Sequence, residues 1–143
     1  NIYPELATPH DFVFLGVRRG DYLHNPVVHN PCGMTYYNEA LSKMNKKKYY
    51  ILSDDIEWCK KKFQGDKFVY MEMYINEDKY MLLTLALFKN YIISNSTFYW
   101  WGSFLSIYEN TRIIAPDKWV SKDKYWSVYR KNMEVIERPI EMN

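Results

Sequence analysis

Short apolar runs alternate with helical segments along most of this chain, and that alternation constrains the fold more tightly than any single residue. Runs rich in β-branched and aromatic residues recur at Phe12–Val17, Tyr49–Leu52, Phe68–Met71, Tyr91–Ser94 and Arg112–Ala115, each bounded by turn or capping residues. Between them, Thr35–Met44, Ile56–Phe63, Lys79–Phe88 and Thr97–Tyr108 carry helical spacing. Strand followed by helix, repeated, predicts an α/β fold: a mostly parallel sheet of about five strands with helices on both faces. With 143 residues, of which 48% are hydrophobic and 18% aromatic, the chain has the material for one core. A single domain over 1–143 is expected, its pattern weakening into a trailing segment from about residue 131.

In such sheets ligands bind outside the carboxyl ends of the strands, where loops lead into helix N-termini. Three polar clusters fall there. Arg18-Arg19-Gly20-Asp21-Tyr22 follows the first run, Ser53-Asp54-Asp55 the second and Asn95-Ser96-Thr97-Phe98 the fourth. Adjacent arginines at the end of an apolar strand are costly to place unless an anion satisfies them, and a guanidinium offers phosphate a planar fork. An ion pair of Arg18 or Arg19 with a loop carboxylate such as Asp21 is the competing reading. Asn95-Ser96-Thr97 precedes an aromatic helix, a position that caps the helix and also attracts anions through its free N–H groups. Ser53-Asp54-Asp55 reads either as a helix cap or as a carboxylate pair for a nucleobase edge or sugar hydroxyl. Trp100, Trp101, Phe98 and Phe104 read as core.

Other classes find little support. Net charge is +2, from 19 Lys and Arg against 17 Asp and Glu, so no overall field draws the chain to nucleic acid. The lysine runs at 46–48 and 60–62 read as solvated faces. Two cysteines and three histidines provide neither a disulfide framework nor a metal ligand set, so no metal and no cofactor are expected. No stretch approaches the roughly 18 apolar residues of a membrane span, and the first residues lack signal-peptide order. The chain is expected to be soluble and cytoplasmic, with an anchor in a longer parent protein left open.

Taken in order, Gly16-Val17-Arg18-Arg19-Gly20-Asp21-Tyr22-Leu23, Tyr36-Tyr37-Asn38-Glu39-Ala40, Ile51 to Lys60 and Asn90 to Gly102 resemble the α-1,2-fucosyltransferase family, glycosyltransferase family 11. The family's motifs run roughly His-x-Arg-Arg-Gly-Asp-Tyr, Ser-Asp-Asp-x-x-Trp-Cys and Asn-Ser-Thr-Phe-Ser-Trp-Trp-Gly. The resemblance covers about residues 12 to 119. Two positions depart from it: Gly16 stands where the family has His, and Tyr99 where it has Ser.

The resemblance implies the Rossmann-like C-terminal half of a GT-B-type glycosyltransferase that binds GDP-β-L-fucose without metal. It implies inverting transfer of fucose in α-1,2 linkage to a galactose-containing glycan. It makes Arg18 the leading contact to the pyrophosphate, with Arg19 and Asp21 supporting the loop, and Asn95, Ser96, Thr97 and Phe98 beside the phosphates. Asp54 or Asp55 would hold the guanine or its ribose, and Asp21 is the nearest carboxylate for a general base. An N-terminal half of the same protein is expected to complete the cleft. A degenerate, non-catalytic domain that binds GDP-sugar or glycan is the alternative, and a polypeptide-modifying fucosyltransferase a further one.

Overall fold

The computed structural model describes residues 9–24, 30–71, 78–119 and 129–139. Six strands form one sheet: β1 (Phe12–Val17), β2 (Lys48–Ser53), β3 (Phe68–Tyr70), β4 (Asn90–Ile92), β5 (Arg112–Pro116) and β6 (Met133–Ile136). Their order is β3-β2-β1-β4-β5-β6, and every adjacent pair is parallel. This is the order of doubly wound dinucleotide-binding sheets, in which the chain reverses its winding beside the first strand. The four described α-helices are α1 (Met34–Met44), α2 (Ile56–Lys62), α3 (Asp78–Leu85) and α4 (Thr97–Phe104).

The central strand shows why the sheet is covered on both sides. In β1, Val13, Leu15 and Val17 point to one face and pack with Tyr36, Tyr37, Ala40 and Met44 of α1 and Cys59 of α2. Phe14 points to the other face and packs with Leu85 of α3 and Tyr99 of α4. Side chains alternate across a strand, so a continuous apolar run serves two cores. Phe14 meets the rings of Phe88, Tyr91 and Tyr99 at centroid distances of 5.8, 6.1 and 5.4 Å. Truncating such a buried ring to alanine costs about 3–5 kcal/mol.

Helix ends follow the local chemistry. Asn45 closes α1 in the left-handed conformation, φ 46°, donating its N–H to Leu41 O at 3.0 Å. The lysines at 60–62 occupy the exposed last turn of α2, where cations oppose the helix dipole. The aromatic helix α4 is only two turns long, and one face alone can meet the sheet. Tyr99 is buried, while Trp101 and Phe104 are each 48% exposed and do not belong to the core that their type suggests.

The sixth strand lies in the stretch whose sequence pattern weakens. Only Ile136 of β6 is buried, so apolar alternation is faint, yet Pro116 pairs with Ile136 and Ile113 with Met133. Beyond it, Arg138 is fully buried, with Nε donating to Lys118 O at 3.1 Å and Nη1 to Asn30 O. Its backbone N–H donates to Asp117 Oδ1 at 2.9 Å, which ties the end of β6 to the end of β5. Among the described residues, no helix is long and apolar enough to cross a membrane.

Candidate functional site

Strand register levels the three polar loops at one edge. Val17 pairs with Ser53, and Leu15 with Ile92, so the residues after β1, β2 and β4 emerge side by side. The reversal of winding lies between β1 and β4, the crevice where doubly wound folds place ligands. A hydrogen bond spans it: Arg18 N donates to Ser94 Oγ at 3.1 Å. Tyr22 Oη donates to Asn95 O at 2.6 Å, fastening the first loop to the third. Burial raises the Tyr22 phenol above its ordinary pKa against the opposing pull of Arg18, which keeps its proton available for that bond.

The first loop is shaped by the second. Asp54 accepts from Arg19 N at 2.7 Å and from Gly20 N at 2.9 Å, and its Oδ2 lies 3.2 Å from Arg18 Nε. Gly20 is required by this chelate, because a Cβ there would fall 2.8 Å from Asp54 Oδ2. Asp55 caps α2 by accepting from Trp58 N at 3.2 Å, and its other oxygen accepts from Arg19 Nε at 3.3 Å. Arg19 is 4% exposed and stacks its guanidinium 4.0 Å over the Trp58 ring, with Nη1 unpartnered among the described residues. The two arginines therefore differ in kind. Arg19 is an internal strut, whereas the Arg18 side chain remains 35% exposed at the crevice.

Arg18 also forms the ion pair that competes with the anion reading. Its Nε and Nη2 donate to the two oxygens of Asp21, each at 3.0 Å. This pair raises the Arg18 pKa against the opposing effect of burial. The fork uses two of its roughly five N–H donors on Asp21, so ion pairing and anion binding are compatible.

At the third loop, Ser96 caps α4 by accepting from Tyr99 N at 3.5 Å. The N–H groups of Thr97 and Phe98, in the first turn, have no intrahelical acceptor and carry the positive end of the helix dipole. Asn95 is 1% exposed; its amide donates to Trp119 O at 2.9 Å and its carbonyl oxygen accepts from Cys32 Sγ at 3.6 Å. It braces the loop from inside.

A pocket of about 140 Å³ opens at this edge, lined by Arg18, Asp54, Asp78, Phe98 and Tyr99. Of the residues singled out in the sequence, Arg18, Asp54 and Phe98 meet there. Ser96 and Thr97 stand next to it in chain, while Arg19 and Asn95 are buried and Asp55 is turned to Arg19 and the α2 cap. Asp21 holds Arg18 from outside, its side chain 62% exposed. Sequence reasoning missed Asp78, and singled out Tyr99 only as a departure from the family motif, without placing it at the pocket. Asp78 sits 60 positions from Arg18 in no motif, and only the wrapping of α3 brings it to the pocket. The Tyr99 phenol is 4% exposed and lies 3.1 Å from Leu52 O and 3.3 Å from Val17 O. Burial pushes its pKa far up, with the Asp54 carboxylate adding to the shift, so it stays a protonated donor. Among the described residues, no group of three His, Cys, Asp or Glu gathers as a metal site.

The chain matches the glycosyl transferase family 11 profile over residues 2–137. It belongs to that family. It is 33% identical to an alpha-1,2-colitosyltransferase of Escherichia coli, over 78% of this chain and 42% of that protein. It is 32% identical to the O-antigen biosynthesis glycosyltransferase WbnK of Escherichia coli, over 73% of this chain and 38% of that protein. The chain thus spans about two-fifths of the length of the curated relatives it matches. No solved structure matches it. As a family 11 chain, it carries the motif residues Arg18, Asp54 and Phe98 around the pocket at the switch point.

Proposed function

We propose that this family 11 chain is the donor-binding part of an inverting glycosyltransferase, taking GDP-β-L-fucose and giving an α-1,2-fucoside of a galactose-containing glycan. One observation carries the reading: Arg18 and the first turn of α4 converge on a pocket at the point where the sheet reverses its winding. The name of one relative, an alpha-1,2-colitosyltransferase, supports glycosyl transfer in this linkage. A pocket of about 140 Å³ is small beside the roughly 300–1,000 Å³ of ligand sites, so further parts of a longer protein would complete the cleft.

In the reaction, the acceptor hydroxyl oxygen attacks C1 of the sugar in line, forming the new glycosidic bond as the C1–O bond to the β-phosphate breaks. GDP departs with that electron pair, and configuration inverts. Charge builds on the β-phosphate, where the free N–H groups of Arg18 and the Thr97 and Phe98 N–H groups would receive it as fixed donors, without metal. The acceptor proton needs a base. Asp21 is bound to Arg18 by both oxygens, whereas Asp78 faces the same pocket. These two carboxylates are the candidates, and Asp54 is engaged by the loop itself.

A second reading, a non-catalytic GDP-sugar-binding domain, draws on Gly16 and Tyr99, where an aromatic ring fills the place of the family's histidine. Calorimetry with GDP and GDP-fucose, followed by a transfer assay on β-galactosides with the full-length protein, separates the two. Binding with transfer supports the enzyme, binding without transfer the alternative, and no binding by the full-length protein refutes both.

A further inference from the structure

The two positions at which this chain departs from its family's motifs touch one another. A Cβ built on Gly16 would lie 2.5 Å from Tyr99 Cδ2 and 2.8 Å from Cγ, closer than real Cβ contacts allow. The ring cannot easily yield. It packs on Phe14 at a centroid distance of 5.4 Å, and its hydroxyl reaches the carbonyls of Val17 and Leu52 at 3.3 and 3.1 Å. A phenol has one proton, so that proton is shared between the last residue of β1 and the penultimate residue of β2.

Those carbonyls stand directly before the two loops of the site. Val17 precedes Arg18, and Leu52 is two residues before Asp54. Tyr99 itself belongs to the first turn of α4, next to Phe98. One side chain therefore links the ends of β1 and β2 with the helix N-terminus, and it lines the pocket beside Arg18 and Asp54.

We propose that Gly16 and Tyr99 form one interlocked unit, in which Tyr99 occupies the room of a side chain at position 16 and acts as the positioning residue for Arg18 and Asp54. The glycine is there to admit the ring, and the hydroxyl sets the spacing of the two loops. The interlock stands on the geometry alone, while the positioning role rests on the nucleotide reading above.

A double-mutant cycle with Gly16→Ala and Tyr99→Ser tests the interlock by thermal unfolding of the unliganded chain. Because contacting residues couple, Gly16→Ala should lower Tm markedly in the wild-type background and cost much less beside Tyr99→Ser. Additive shifts in Tm would overturn it. Tyr99→Phe tests positioning, since it keeps the ring and removes only the tie to the carbonyls. Calorimetry should show GDP affinity falling about three- to tenfold, the equivalent of one hydrogen bond, with the stoichiometry unchanged. A Tyr99→Ser/Gly16→Ala pair should not restore that affinity, because the hydroxyl link is still missing. Wild-type GDP affinity in Tyr99→Phe would overturn the positioning role. A wild-type full-length protein that binds no GDP removes the nucleotide reading and the positioning role with it, while the Tm cycle still decides the interlock.

Discussion

Replacing Asp54 with Asn keeps the shape of the side chain and removes what the first loop is built on. The carboxylate accepts from Arg19 N at 2.7 Å and Gly20 N at 2.9 Å, and meets Arg18 Nε at 3.2 Å. An amide has one oxygen, so one of the two backbone N–H groups would face an NH₂ donor instead. Losing a charge-assisted bond at the part-buried Arg19 N–H costs about 1.5–3 kcal/mol. The Gly20 N–H is exposed and water can replace its partner, and the half-exposed pair with Arg18 adds about 0–1 kcal/mol. The sum is about 1.5–4 kcal/mol. For a domain of this size that corresponds to a fall in Tm on the order of 10 °C, read by differential scanning calorimetry and by the midpoint of urea unfolding. GDP affinity should fall with it, because Arg18 loses the loop that aims it. A Tm within about 2 °C of wild type, with unchanged GDP binding, would refute the view that Asp54 organises this loop.

Three further outcomes follow from the same geometry. Asp21→Asn should leave GDP affinity equal or slightly higher, since it releases the fork of Arg18; comparing it with Asp78→Asn in a transfer assay shows which carboxylate is the base, by loss of turnover with binding retained. EDTA should not change GDP affinity, as the Arg18 fork and the α4 N-terminus are proposed to neutralise the diphosphate; restoration of binding by magnesium or manganese would contradict this. Burial pushes the Cys32 and Cys59 thiols up to about 11 from an ordinary 9.0. Native thiols then hold their protons at higher pH than unfolded ones, so the stability they contribute is present below about pH 9 and is lost as pH rises toward 11. Tm measured across that range should fall, and neither cysteine should react with iodoacetamide at pH 7.5 before unfolding.

Much of the fold was legible because parallel strands buried on two faces leave continuous apolar runs. The first run, Phe12–Val17, coincides with β1 to the residue. Helix ends were less clear: Thr97–Tyr108 stops at Phe104 in the structure, and the apolar Leu105 and Ile107 beyond it are exposed, with no second core face to meet. The sixth strand was hidden because an edge strand with one buried side chain shows little alternation, and its anchor, Arg138, is a residue type rarely expected inside. The site was legible where charge stands at a strand end, as at Arg18 and Asp54. It was not legible where residues distant in sequence meet. Gly16 and Tyr99 stand out in the sequence as two separate departures from the motif, and only the folded chain shows that the ring of one lies over the other. Arg18 and Arg19 are adjacent in sequence, yet in the loop after β1 one faces the crevice and the other stacks on Trp58 and pairs with Asp55.

The central claim is that Arg18 is the anion fork of a nucleotide site at the switch point, and GDP titration of Arg18→Ala and Arg18→Lys by calorimetry tests it most directly. Loss of a charge-assisted contact predicts a fall of about 1.5–3 kcal/mol in binding free energy for alanine, roughly 10- to 150-fold in Kd. Lysine keeps the charge without the fork and should recover only part of it. Unliganded Tm should change little in either variant, because the ion pairs of Arg18 with Asp21 and Asp54 are partly exposed to solvent, which screens them. GDP affinity unchanged in Arg18→Ala, together with a large loss of unliganded stability, would show that the arginine is a loop strut and that the nucleotide site lies elsewhere.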